Sequence, residues 1–445
     1  MNVRLSPFKA QFSCLSLALV ATFMLPAQAQ NLSDLYQAAR SYDANYQSAL
    51  SSANATMARG EQAKASVWPV AGFQMGASRS LLDVTGAPNN THFGGQSAAL
   101  TVSQPLYRSS NWVNYEQGEK QAFIAKAQLK VAEQDLIIRT SQTYFDVLAA
   151  RDTLAFVLAQ KAAVAEQLAS AKRNFEVGTS TITDTREAQA RYDLVIAQEI
   201  AAENDVRVKK MALDQLVGKS DTEPKPLLVP LTLPALAPSD VNQWVVQTEA
   251  SHPNITQANL ALEIAKLETA KAEAGNKPTL DLNASYSANR NQGTATSVTS
   301  TRSTSGTLGL SFNLPLFAGF AVQNRIKETL ALEDKARADL DIAKRTVTQA
   351  TRAAFFGVQS GLAGVKAYEA AEFSSQSALD ANKLGYQVGV RINIDVLNSQ
   401  SQLFQTKRDL AKARYDVLLG GLKLRQANGT LTAEDLSPVN ALLAK

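Results

Sequence analysis

Two ten-residue stretches decide the fold: FEVGTSTITD, from Phe175 to Asp184, and YQVGVRINID, from Tyr386 to Asp395. Their glycines stand 389 − 178 = 211 positions apart, and their aspartates 395 − 184 = 211. Each stretch joins a glycine, favoured just past a helix end because its left-handed backbone carries no Cβ penalty, to an aspartate suited to capping the next helix. Asp184 precedes Glu187 by three residues, the spacing of a capping box, which puts Asp184 at the N-cap. Both stretches therefore read as tight turns between helices.

Outward from the turns the two registers stay matched. Ala188–Gln189–Ala190 faces Ser399–Gln400–Ser401, and Gly218 faces Gly429; earlier, Trp68–Pro69 matches Lys277–Pro278 and Gln104–Pro105 matches Leu314–Pro315 within two residues of the same offset. The chain is a duplication, with one repeat over 30–217, a second over 240–430 and a tail over 431–445. Between them, 218–239 carries Pro224, Pro226, Pro230, Pro234 and Pro238, a density that forbids helix and makes a stiff, extended linker.

Upstream of the first turn, Asn111–Phe175 is an unbroken helical stretch with no proline and one internal glycine, Gly118. Its counterpart runs from Val322 to about Leu384, interrupted by Gly357, Gly361 and Gly364. At 1.5 Å per residue such a helix reaches ~95 Å and needs neighbours along its whole length. Leu129, Leu136, Thr143, Ala150, Val157, Val164 and Ala171 fall seven apart, a loose heptad. Alanine on the other faces suits helices that touch neighbours on two sides, as in a hollow ring.

Ahead of each long helix the period changes to two. Phe73, Met75 and Ala77 alternate with Gln74, Gly76 and Ser78, and Ala98, Leu100 and Val102 with Ala99, Thr101 and Ser103. Leu280, Leu282, Ala284 and Tyr286 alternate with Asp281, Asn283, Ser285 and Ser287, and Leu308, Leu310, Phe312 and Leu314 with Gly309, Ser311 and Asn313. Strands are expected at about 70–82, 97–106, 279–289 and 307–316, joined by polar loops over 83–96 and 290–306. One apolar and one polar face suits an outer-membrane barrel with a wet lumen. Trp68, Tyr107 and Phe317 flank these strands as an interfacial belt would. Four strands cannot close alone, since the smallest membrane barrels have about eight; strand number permits a dimer or a trimer.

The N-terminus reads as a secretory signal over 1–29: Arg4 and Lys9, an apolar run from Phe12 to Leu25, then Pro26–Ala27–Gln28–Ala29, with the mature chain starting near Gln30. The single cysteine, Cys14, lies inside that run, so neither lipidation at the cleavage site nor a disulfide is expected. No later segment is apolar enough for a transmembrane helix, which leaves a closed barrel as the route into a membrane. Of 44 basic residues the signal holds two, leaving 44 − 2 = 42 against 40 acidic ones. That balance, without a basic run, gives no footprint for nucleic acid.

No nucleophile motif, phosphate loop or paired-carboxylate site marks an enzyme. His92 and His252 stand alone, short of the three or four convergent ligands a zinc ion needs, so neither metal nor cofactor is expected. Arg302, in a Ser/Thr-rich segment, reads as solvated. The residues leave two readings, a membrane duct and a periplasmic coiled-coil adaptor or adhesin; the amphipathic strand pairs favour the duct.

QPLYRSSNW over 104–112, TYFDVL over 143–148, the two Val-Gly…Asp turns and GTLTAEDL over 429–436 resemble the TolC family of outer-membrane efflux and secretion ducts. The resemblance runs from about Asn31 to the end. It implies an α+β membrane protein: a homotrimer in which each chain gives four strands to a 12-stranded outer-membrane barrel, above a long periplasmic α-helical barrel. It implies partners as well: a periplasmic adaptor (membrane fusion protein), an inner-membrane pump or ABC transporter, and outer-membrane lipid. The family's gate residues map onto Tyr386, Arg391 and Asp395, with Thr183 and Asp184 as their partners on the outer turn. A second acidic position of the family is Asn398 here, leaving a single acidic ring. The turns Val177–Gly178–Thr179 and Val388–Gly389–Val390 are the expected adaptor contacts.

Overall fold

The computed structural model describes residues 30–82, 91–228, 231–294 and 297–444; the expected signal, 1–29, lies outside them. The chain opens with α1 (Leu32–Tyr42) and α2 (Ala44–Lys64), then strands β1 (Val70–Leu82) and β2 (Thr91–Tyr107), the long helix α3 (Ser109–Glu176) and α4 (Ile182–Val217). The second half gives α5 (Val241–Ser251), α6 (Pro253–Glu273), β3 (Thr279–Thr294), β4 (Ser297–Asn313), α7 (Ala321–Gln387) and α8 (Asn393–Asn428), followed by a short α9 (Leu436–Asn440). Element for element the halves agree in length: 11 and 11 residues for α1 and α5, 21 and 21 for α2 and α6, 68 and 67 for α3 and α7, 36 and 36 for α4 and α8.

The first helix of each repeat is two helices. The breaks fall at Asp43 and His252, both in extended backbone. Each side chain caps the second helix: Asp43 accepts from the Tyr46 N–H at 2.8 Å and His252 Nδ1 from the Asn254 N–H at 3.1 Å.

The four strands form one antiparallel sheet in the order β1-β2-β3-β4, so β2–β3 pairing joins the two repeats. Register aligns their faces. Ala71 faces Val102, Val102 faces Ala284, and Ala284 faces Leu308; Phe73, Leu100 and Tyr286 form the next apolar row. One residue over, Gly72, Thr101, Ser285 and Thr307 form a polar row. Since side chains alternate along a strand, the whole sheet has one apolar and one polar surface. Both are exposed in the single chain.

The strands exceed their expected ends. Residues 91–96, 290–294 and 297–306, expected as loop, are paired strand, with Gln96 opposite Arg290 and Arg290 opposite Arg302. The cause is composition: Gly, Ser, Thr and Asn signal turns in water, yet small polar side chains also suit a wet strand face whose pairing is carried by the backbone. At the other end β4 stops at Asn313 instead of 316, because Pro315 has no N–H to donate to the ladder.

At 1.5 Å per residue, the 68-residue α3 spans ~100 Å. It packs along α2, α6, α4 and α8 in turn. Heptad positions Leu136, Ala150, Val157, Val164 and Ala171 are buried. Where α2 meets α3 the helices touch backbone to backbone: a Cβ on Gly118 would lie 2.5 Å from the Ala63 Cβ. No helix among the described residues is long and apolar enough to cross a membrane.

Midway down α3 a collar forms the largest core. Leu32, Leu35 and Tyr36 of α1 meet Leu136, Ile137 and Phe145 of α3, together with α8 and the tail. The proline-rich linker crosses this core, bridging Gln30 to Pro224 and Leu227 to Leu443. The buried Tyr144 hydroxyl donates to the Lys225 carbonyl at 2.8 Å. Tyr415 donates to Asp152 at 2.6 Å, and burial pushes that carboxyl above its ordinary range despite the bond. The Arg139 guanidinium grips Asp43 through two 2.9 Å bonds and holds its carboxyl low.

Candidate functional site: the helical tip

Both long helices end in the same way. Gly178 and Gly389 adopt φ +78° and +81°, a conformation that a side chain would strain. The turns are closed by Gly178 N–H to Phe175 O at 3.0 Å and Thr179 N–H to Asn174 O at 2.8 Å, and by Gly389 N–H to Tyr386 O at 3.2 Å and Val390 N–H to Gly385 O at 2.9 Å. Two valines crown the tip of the second turn and one the first; Val177 is 72% exposed and Val390 76%.

The helices that follow are capped three residues earlier than their aspartates suggest. Thr181, not Asp184, is the N-cap of α4: its hydroxyl accepts from the Asp184 N–H at 3.2 Å, while the Asp184 carboxylate accepts from the Thr181 N–H at 3.0 Å. Asp184 thus closes a capping box with a threonine behind it rather than opening one with Glu187. In α8 the N-cap is Ile392, whose side chain contributes no hydrogen bond, and Asp395 sits in the first turn. There it pairs with Arg391 at 3.6 Å.

The two hairpins are zipped together over their last turns. The Tyr386 hydroxyl accepts from Asn174 Nδ2 at 3.1 Å. Asn393 is fully buried; its Oδ1 accepts from Gln167 Nε2, and its Nδ2 donates to the Asp184 carbonyl at 3.3 Å. Further up, Arg191 donates to Asn398 Oδ1 at 2.9 Å. Leu397 of α8 is buried against Val164, Leu168, Ala171 and Ala188 of the first hairpin, supplying the apolar part of the seam.

Two expectations are corrected. Tyr386 reaches Asn174 and not Asp184, whose carboxylate bonds Thr181 of its own turn instead. Arg391 stays inside its own hairpin: it lies over Gly385, where a Cβ would come within 2.6 Å of the Arg391 Cγ, and meets Asp395 rather than the outer turn. Thr183 is exposed beside them. Asn174, Gln167, Asn393 and Arg191 were missed, yet the duplication marks one of them, Asn393, as it marks Tyr386. At the 211 offset Phe175 matches Tyr386, which adds a hydroxyl, and exposed Ile182 matches buried Asn393. Departures between repeats are where the two hairpins take different roles.

Away from the tip, His252 is the buried cap described above. Burial first, then the nearby Lys130 charge, lowers its pKa to about 4. Among the described residues no group of His, Cys, Asp and Glu is arranged to hold a metal ion.

The Outer membrane efflux protein family model matches residues 35–219 and 244–430. The chain is 32% identical over 427 residues to Outer membrane protein TolC of Escherichia coli (strain K12), covering 94% of this chain and 86% of that protein. It is 28% identical over 423 residues to Alkaline protease secretion protein AprF of Pseudomonas aeruginosa, covering 93% of this chain and 88% of the relative. The solved Campylobacter jejuni CmeC outer membrane channel superposes with a TM-score of 0.77 at 16% identity, covering 99% of this chain and 98% of that one.

Proposed function

The chain belongs to the outer membrane efflux protein family, and on that premise we propose that it is the passive exit duct of a tripartite efflux pump or a type I secretion system, gated at its periplasmic tip. It resides in the outer membrane and reaches through the periplasm. The observation that carries this reading is the sheet. It has one apolar and one polar surface, it has two free edges in the single chain, and it continues directly into helices ~100 Å long. An exposed sheet edge is not tolerated in lipid, so β1 of one copy must pair with β4 of another. Three copies supply 12 strands, with the apolar surface toward lipid and the polar rows toward a wet lumen. The helices below continue the same lumen to the tip.

Family members are channels, and we read this chain as a conduit rather than an enzyme. Residues 30–217 and 240–430 act as duplicated units with the linker as a belt across the collar. In the closed state the seam through Tyr386, Asn174, Asn393 and Asn398 holds the second hairpin against the first, and three copies of Asp395 ring the mouth. Exposed Val177, Val388 and Val390, with Gly178, Thr179 and Gly389 shaping the turns, form the adaptor contact. An inner-membrane pump or transporter supplies the energy. Crosslinking from cysteine at Val390 tests that contact: adducts to a periplasmic adaptor are expected, and adducts confined to other copies of the chain would contradict it.

A further inference from the structure

Charge on the sheet is segregated in a way the duct does not require. Its strands carry one carboxylate, Asp281, on the polar face at the helix-proximal end, where Arg108 binds it at 2.8 and 2.7 Å. Their three arginines, Arg79, Arg290 and Arg302, all lie at the opposite end. All three also share the apolar face. Arg290 and Arg302 are direct partners across β3 and β4 and continue the rows of Tyr286, Ala284 and Leu308. Arg79 faces Gly94, which faces Gln292, two residues along from Arg290. All three are exposed, and no ion pair engages them among the described residues.

We infer that this outward rim, where Arg79, Arg290 and Arg302 converge, docks the phosphorylated headgroup of an outer-leaflet lipid. The inference rests on the barrel reading above, which sets the apolar face against the membrane. Height supports it. From Leu280, opposite Phe312, to Arg290, opposite Arg302, is 290 − 280 = 10 residues. That is ~33 Å along the strand, and ~25 Å of height at a tilt of ~40°, the thickness of the apolar band of such barrels. The arginines therefore emerge where hydrocarbon gives way to headgroups. Like charges directly opposite in a sheet repel, and an anion between Arg290 and Arg302 removes that penalty. The surface is also shaped: one groove of about 400 Å³ is lined by Arg79, His92 and Arg290, and an adjoining one of about 860 Å³ by Met75, Arg290 and Arg302. Arg290 stands in both grooves, with apolar Met75 and Ala98 below for acyl chains. Guanidinium forks match phosphate oxygens, and a lipid offers phosphate and chain together.

Native mass spectrometry of the detergent-purified full assembly tests this, with a bis-phosphorylated glucosamine-disaccharide lipid as probe and its dephosphorylated form as control. Saturable retention of the phosphorylated lipid alone is expected. Each Arg→Gln change should weaken it about fivefold, the factor equivalent to about 1 kcal/mol per basic residue at an anionic lipid surface. R302K, which keeps the charge, should lose less than R302Q. Equal retention of both lipids by the unmodified protein would overturn the proposal, whether or not the triple variant R79Q/R290Q/R302Q folds, and so would undiminished binding by that variant. Displacement of the lipid by millimolar inorganic phosphate would also overturn it, since the site would then be one for free phosphate. Unmodified protein that inserts into phosphatidylcholine bilayers without preferring the phosphorylated lipid sinks this inference alone; failure to insert sinks the barrel reading.

Discussion

Tyr386→Phe is expected to open the tip more than Arg391→Ser does. The Tyr386 hydroxyl is the acceptor of a bond that crosses between hairpins, from Asn174 at 3.1 Å, and such a bond is worth about 1 kcal/mol. The Arg391–Asp395 pair spans 3.6 Å within one hairpin, with side chains 59% and 33% exposed, and contributes at most about 0.5 kcal/mol. If three copies open together, Tyr386→Phe shifts the closed–open balance by about 3 kcal/mol, roughly a hundredfold, whereas Arg391→Ser, which breaks no bond between the hairpins, shifts it by about tenfold at most. Single-channel recording in planar bilayers reads this as open probability or mean conductance. Asn174→Leu should reproduce the tyrosine variant, and combining the two should add little, because both remove the same bond. If Asn174→Leu behaved as wild type while Tyr386→Phe opened the channel, the seam would be wrongly assigned. Unchanged conductance in Tyr386→Phe/Arg391→Ser would remove the gate altogether.

Three further outcomes follow from the geometry. His252 has a folded pKa of about 4 against an ordinary 6.5, so the unfolded chain takes up its proton first, and stability should fall as pH drops between those values, by about 3 kcal/mol in full; His252→Asn keeps an acceptor for the Asn254 N–H and should flatten that part of a plot of unfolding midpoint against pH, whereas a parallel slope would contradict the assignment. Gly118→Val forces a side chain into the α2–α3 contact and should cost about 1–3 kcal/mol in a denaturant melt, with Ala63→Gly recovering part of it; no loss would mean the helices are not in backbone contact. Asn398→Asp should strengthen block by trivalent cations only modestly, because Arg191 at 2.9 Å neutralises the new carboxylate, and Arg191→Gln should release the full effect; equal block in both variants would refute the Arg191 contact.

Local signals in the sequence carried much of the architecture. Two-residue alternation located all four strands, unbroken helical patterning gave α3 and α7 within a few residues, and Gly178 and Gly389 marked both turns. Strand ends were less legible, since Ser300–Gly306 has turn-like composition yet pairs along β3. The caps shifted because a threonine three residues before Asp184 competes with the glutamate three residues after it, and the extended Thr181 backbone decides between them. The seam was least legible. Tyr386 and Asn398 were identified, but Asn174 and Asn393 acquire meaning only once the hairpins lie side by side. Arg302 is exposed, as its Ser/Thr-rich surroundings suggest, but its place opposite Arg290 on the apolar face of the sheet becomes legible only from the register.

The most direct test of the account is single-channel recording of the purified mature protein in a planar bilayer. Discrete, small, cation-preferring currents are expected from a membrane-spanning duct whose acidic mouth rests nearly closed. Folded, helical protein that inserts into no bilayer and carries no current would contradict it, and would leave a coiled-coil assembly without a pore.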